Sequence, residues 1–352
     1  MTRTVYVHGA AALSAFGAAW RGLGAAVMAA RIAPAPARQL QASHGAVPAF
    51  EVGDIPAAVD VEAKARKLMS HAARLGTAAT GLALIDAGWD DGREDIAMYM
   101  GVGASGGAMD ELSAMLDASI ASHAFSLARF GTDGLAACNP LFTFQLMNNF
   151  TLCHGAILHG LGGPNGALYS RGTGTVAALD EAVYQVASGA CERALAGGAD
   201  SALHPVTWAQ LWREGRSVGV VPGEGAALLA LSAAPDAALA IVDTCALLPA
   251  AQVQPDLTGA ARRMLDGAAV RDDDLVLLAY CDGRTGALLR EAVATAHVVD
   301  TSAALGESLA AAPALAWAAG LDLIAGGATR RVLVLSAGLD GGLGLAVLRS
   351  AA

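Results

Sequence analysis

Six short apolar runs recur along the chain, at residues 5–7, 96–100, 194–196, 226–231, 275–280 and 332–335, most of them stopped by glycine or aspartate. Continuous apolar runs of this length predict strands buried on both faces. Helical patterns lie between them. Residues 67–87 are Ala-rich and free of proline, and Val176, Leu179, Val183 and Val186 recur at helical spacing after a glycine-rich turn. Buried strands alternating with helices predict an α/β layered sheet.

An internal echo sharpens this. Residues 95–103 and 274–283 each read as aspartate, apolar strand, glycine turn, then helix. This predicts two similar α/β halves stacked back to back, and no Pro/Ser-rich linker or charge run divides them into separate bodies. Hydrophobic residues make up 55% of the 352 positions and charged residues 15%, which leaves little polar surface over and points to a partner.

The net charge of −10, with no run of Lys and Arg, argues against nucleic acid or an anionic membrane as partner. The most apolar stretches are cut by Pro235, Asp236, Pro313 and Asp322, so no transmembrane helix is expected. The opening residues read as a first strand rather than a signal peptide, because His8, Gly9 and Gly17 punctuate them. Five scattered cysteines without CxxC spacing fit a reducing cytoplasm and indicate neither a disulfide framework nor a metal site; no cofactor is expected.

Four stretches carry a resemblance. They are the opening strand and glycine turn at 5–17, Gly162-Gly-Pro-Asn165, the run Ala194-Leu-Ala-Gly-Gly-Ala-Asp200, and Val221-Pro-Gly-Glu-Gly225 with its apolar continuation to Leu231. In order and spacing they are similar to the β-ketoacyl synthases of the thiolase superfamily. The resemblance implies a thiolase-like five-layered α/β/α/β/α fold with two pseudo-repeated halves, residues 1–232 and 233–352. The stretch from 232 to 273 is the most trimmed.

The family's chemistry is missing where the resemblance would place it. A ketosynthase needs a thiolate at a helix N-terminus, where unpaired N–H groups favour the anion. The matching position here is Gly172, in Tyr169-Ser-Arg-Gly-Thr-Gly-Thr175. The family's two catalytic histidines correspond to Asp282 and Glu307, and the lysine upstream of the second to Ser302. Two carboxylates there are expected to repel the enolate that forms on decarboxylation. The glycine-rich run 336–342 stands where the family carries aromatic gate residues, and is expected as a terminal strand.

The resemblance therefore implies a non-catalytic, chain-length-factor-like subunit. It would form a heterodimer with an active ketosynthase and meet acyl carrier protein through that complex, in polyketide, polyene or fatty-acid-like chain elongation. Ala167, Leu168, Tyr169 and Ser170 would lie at the dimer interface. Ala108, Glu111 and Met115 would line the shared acyl tunnel, with an ordinary helix facing its own core as the alternative. Arg171 would contact the carrier or partner, or form an interface ion pair. The rival readings are a diverged acyltransferase using Ser170 or Thr173 with Asp282 or Glu307 as base, and a homodimeric acyl- or carrier-binding protein without chemistry. Ser170, Thr173 and Thr175 are read as helix caps; Cys153 and Cys281 as structural thiols, and His159 as a hydrogen-bonded core histidine.

Overall fold

A computed structural model describes every residue except Met1, Thr2, Arg31, Ser105, Arg171, Ser217, Val218, residues 294–296 and Ala352. The first half contributes β1 (Tyr6–Leu13), β2 (Ala97–Val102), β3 (Asn165–Tyr169), β4 (Arg193–Ser201) and β5 (Glu224–Ser232). The second contributes β6 (Ala240–Leu248), β7 (Leu275–Tyr280), β8 (His297–Asp300), β9 (Arg331–Ala337) and β10 (Leu343–Ser350). Their spatial orders are β3-β2-β4-β5-β1 and β8-β7-β9-β10-β6, so both halves follow the order 3-2-4-5-1. Parallel and antiparallel pairings also repeat between the halves. The two sheets join where Tyr6 and Val7 pair antiparallel with Ile241 and Ala240.

The principal helices are α1 (His71–Ala87), α2 (Met109–Ala118), α3 (Phe150–His159), α4 (Gly174–Ser188), α5 (Pro205–Arg213), α6 (Leu257–Gly267), α7 (Gly283–Ala292) and α8 (Ala312–Ala325). Helices α4 and α8 lie between the two sheets; α1 and α3 cover the outer face of the first, and α6 and α7 that of the second. The side-chain period of two explains how one strand serves two layers. In β7, Leu275, Leu277 and Ala279 enter the central core, while Val276, Leu278 and Tyr280 enter the outer one. With sheets on both sides, α8 buries apolar residues all round, Trp317 included, instead of one stripe.

All six apolar runs mark strands: Val5 and Ile96 fall just before theirs, the run 275–280 coincides with β7, and the other strands extend beyond their runs. Helix α1 begins at 71 rather than 67, because the Ser70 hydroxyl accepts the Ala73 N–H at 3.2 Å and sets the start there. The run 336–342 is not a terminal strand. Only its first two residues belong to β9; the rest is a turn in which Gly338 N–H donates to the Gly342 carbonyl, and β10 follows it. Among the described residues, no helix is long and apolar enough to cross a membrane.

Candidate functional site

Strand β3 leaves the sheet at Tyr169 and the chain turns into α4. The Ser170 hydroxyl accepts the Gly174 N–H and so caps the first turn. Thr173 and Thr175 do not cap it: Thr173 donates to the Asp340 carboxylate and Thr175 to the Ala310 carbonyl. Gly172 adopts φ +143°, and a Cβ built on it would overlap the Cα of Gly338. Only glycine suits both the conformation and the space. Arg171 lies outside the described residues.

Asp282 follows the end of β7 and caps α7. Its carboxylate accepts the Thr285 N–H at 2.8 Å and lies 2.7 Å from the Arg216 guanidinium. Burial alone would raise its pKa, but the Thr285 and Arg216 contacts outweigh it and hold the carboxyl below its ordinary value. The neighbouring Cys281 is buried, with Sγ 3.6 Å from an Asp282 oxygen. Burial, followed by Glu307 and Asp282, pushes its thiol far up, which disfavours the thiolate. Ser302, at the position matched to the family's lysine, binds the Tyr280 N–H and carbonyl at 2.9 and 3.2 Å.

Glu307 is wholly interior. Its N–H donates to the Val221 carbonyl at 2.8 Å and its own carbonyl accepts from Gly223 at 2.9 Å, which ties it to the 221–225 motif. Oε1 accepts the N–H of Leu309, a residue held at φ +53°; Oε2 is buried without a hydrogen-bond partner among the described residues. Burial pushes this carboxyl well above its usual range, and the Asp200 and Asp282 carboxylates push it further. The expectation of two repelling carboxylates therefore needs correction. Asp282 is an anion tied to Arg216, whereas the surroundings of Glu307 favour the neutral acid.

A cleft of about 680 Å³ opens beside the start of α2, and both Ala108 and Glu111 line it. Met115 does not: it is buried on the inner face of α2, where the alternative of an ordinary core residue placed it. Gln145 bridges the walls by accepting the Ala108 N–H at 2.7 Å and donating to the Lys67 carbonyl at 2.9 Å. At its inner end His71 stands 3.0 Å from Glu224, which also accepts from Gln39, Ser201 and Val52. Burial would raise the Glu224 pKa, yet His71 and these hydrogen bonds keep it below its ordinary value. Gly172, Asp282 and Glu307 do not line this cleft.

Sequence reading missed Gln39, His71, Gln145 and Arg216. They come from segments far apart in the chain, and none sits in a motif. The expectation of no run of Lys and Arg passed over Lys64, Arg66 and Lys67, which were the available signal, because Arg66 and Lys67 line the cleft with Arg74.

Strand β3 is the outermost of its sheet and is paired along one side by β2. Leu168 packs toward the central core and Ala167 toward the outer one, while Tyr169 is 55% exposed. The adjoining α3 exposes Ile157 and Leu158. On that helix Cys153 Sγ lies 3.9 Å from the Asn149 amide nitrogen and His154 meets the Leu68 carbonyl, so the two form no pair. His159 meets the Thr77 carbonyl at 3.1 Å, and burial lowers its pKa.

Comparison with known proteins places this geometry. The family model described as β-ketoacyl synthase, N-terminal domain, matches residues 55–237. The ishigamide ketosynthase/chain length factor superposes with a TM-score of 0.77 at 22% identity, over 99% of each chain. A type II polyketide synthase ketosynthase, bound to the hexaketide and in complex with its acyl-carrier protein, gives 0.79 at 12% identity, again over 99% of each. A β-ketoacyl synthase from Burkholderia phymatum STM815 gives 0.77 at 19%, over 99% of this chain and 100% of the other.

Proposed function

The chain belongs to the β-ketoacyl synthase family, and on that premise we propose that it is a non-catalytic, chain-length-factor-like subunit that pairs with an active ketosynthase and helps shape its acyl tunnel. The observation that carries this reading is Gly172, a residue with no side chain and no room for one at the head of the buried helix where the family's nucleophile would stand. A cysteine thiolate there is the first requirement of acyl transfer from a carrier. The two histidine positions support the same reading. Asp282 is spent on a helix cap and an ion pair, and Glu307 is sealed in the interior.

The partner is an intact ketosynthase docked along β3, where an exposed edge beside Tyr169 offers unpaired backbone groups to an antiparallel strand. Carrier protein then meets the complex rather than this chain alone. The two halves, 1–232 and 233–352, act as one body in this role.

One contact favours a rival acyltransferase: the Thr173 hydroxyl donates to Asp340 at the start of α4, an alcohol beside a base. That reading requires acylation of the isolated chain. Co-expression with an intact ketosynthase, gel filtration with mass analysis and a condensation assay with carrier-bound malonate separate the readings. A one-to-one complex whose activity needs this chain is the expected result; a homodimer that ignores the ketosynthase, or becomes acylated alone, overturns it.

A further inference from the structure

Of the buried carboxyl groups Asp200, Glu224, Asp282 and Glu307, three have a settled place. Glu224 is ringed by His71, Gln39, Ser201 and the Val52 N–H, Asp282 is tied to Arg216, and Asp200 accepts the N–H groups of Ser201 and Ala310 at 2.8 and 3.2 Å. Glu307 is the exception. One oxygen accepts the Leu309 N–H, while Oε2 and the adjacent Ser308 hydroxyl are buried with no hydrogen-bond partner among the described residues. The turn that carries it is strained as well: Gly306 stands at φ +77° and Leu309, which bears a side chain, at φ +53°. Its backbone is stitched to the entry of β5, where Val221 and Gly223 bind Glu307 and the alternate residues, Pro222 and Glu224, bind Phe50.

From this strained turn with an uncompensated acid at its centre, we propose that residues 306–310 form a proton-operated latch: they stay seated against 221–224 while Glu307 holds its proton, and lift away when it ionises. The sign follows from the surroundings. Asp200 from β4 and Asp282 from the cap of α7 both bear on Glu307 as negative charges, and burial opposes a third. Cys281 and Tyr280 at the end of β7 feel its charge in turn. The cations of the neighbouring elements are already matched: Arg216 by Asp282, His71 by Glu224, Arg38 by Glu51 beside Phe50, and Arg290 by Asp300 before the 301–305 turn. An anion at 307 is therefore stabilised only by reaching water. Because Glu224 belongs to the stretch that the latch holds and stands with His71 at the inner end of the cleft, release of the latch loosens that end. The device belongs to the chain alone and needs no partner.

Amide hydrogen exchange of the full chain, read by NMR and corrected for the intrinsic pH dependence of exchange, tests the latch. The N–H groups of Gly223, Glu307, Leu309 and Ala310 are expected to exchange through a local opening that low urea leaves unchanged. Their protection is expected to fall about tenfold per pH unit as pH rises above 5, since each opening then releases one proton. In Glu307→Gln the same amides are expected to keep their protection across that range. The infrared band of a protonated carboxyl is expected in wild type at pH 6, absent from the variant, and lost at the pH where the exchange slope flattens. Should the variant fail to fold, that coincidence in wild type carries the test. Equal slopes in wild type and variant, exchange of these amides only together with those of β7 and with the same urea dependence, or a missing band overturns the inference.

Discussion

The Cα of Gly338 fills the space that a side chain on Gly172 would need, and Gly172 is itself at φ +143°. The turn that follows β9 thus closes over the head of α4 and is fastened there by Thr173 and Asp340. In the proposed reading, placing a cysteine at Gly172 is therefore not expected to give acyl-transfer chemistry. Gly172→Cys is expected to cost about 1–3 kcal/mol, from a left-handed conformation forced on a side-chain-bearing residue and from displacement of the Gly338 turn. Thermal melting measures the loss, and intact mass after incubation with acyl carrier is expected to show no thioester. A variant as stable as wild type that takes up acyl groups would refute this closure.

Asp282 gives a stability contribution with a defined pH sign. Its folded pKa is depressed, so its charge stabilises the fold above the unfolded value of about 4, and that contribution is lost as pH falls through the lower folded value. Asp282→Ala is expected to cost about 1–2 kcal/mol at pH 7, mostly through the lost cap on α7. Asp282→Asn keeps a capping oxygen and isolates the charge paired with Arg216. Urea melts at pH 7 and pH 3 should show its deficit shrinking at the lower pH; a deficit equal at both would mean the carboxylate charge contributes nothing.

The layered fold was legible because β2, β4, β5 and β7 announce themselves as apolar runs with glycine or aspartate at their ends. Strands β6, β8 and β10 were not. β6 is interrupted at its middle by Asp243 and Thr244, β8 has four residues, and β10 is hidden behind a glycine-rich turn that looked like its beginning. That residue 172 carries no sulfur is plain in the sequence, but the packing of Gly338 against it was not legible, since 166 positions separate the two residues. The charge state of Glu307 was misjudged for a related reason. Residue type gives the ordinary pKa, whereas burial against the 221–225 strand entry decides the actual one.

Glu307 carries the opposite pH sign from Asp282. Its folded pKa is raised, so the folded state holds a proton that the unfolded chain releases. Stability is highest below the unfolded value of about 4.3 and declines as pH rises toward the folded one. Glu307→Gln keeps the shape, leaves an oxygen for the Leu309 N–H, and removes the titration. The variant is expected to melt at a higher temperature than wild type at pH 8 and to lose that advantage near pH 4. Wild type melting above the variant at pH 8 would show that the buried carboxylate is stabilised as an anion.

The edge of β3 is where the proposed assembly is most exposed to test. Ala167 and Leu168 are turned into their own cores, so substituting them disturbs folding and pairing together. Tyr169 is different: it is exposed at the end of the strand, and the adjoining α3 also exposes Ile157 and Leu158. A charge there leaves the folded chain intact but places a desolvated carboxylate against any docking strand. Tyr169→Glu is expected to melt within about 0.5 kcal/mol of wild type, as surface changes do, and to weaken association with an intact ketosynthase at least tenfold by analytical ultracentrifugation. Because condensation in the proposed complex depends on both subunits, its rate should fall in step with the fraction assembled and recover at higher protein concentration. An undiminished complex would move the interface away from β3, and lost activity with assembly intact would assign Tyr169 a part in the tunnel instead.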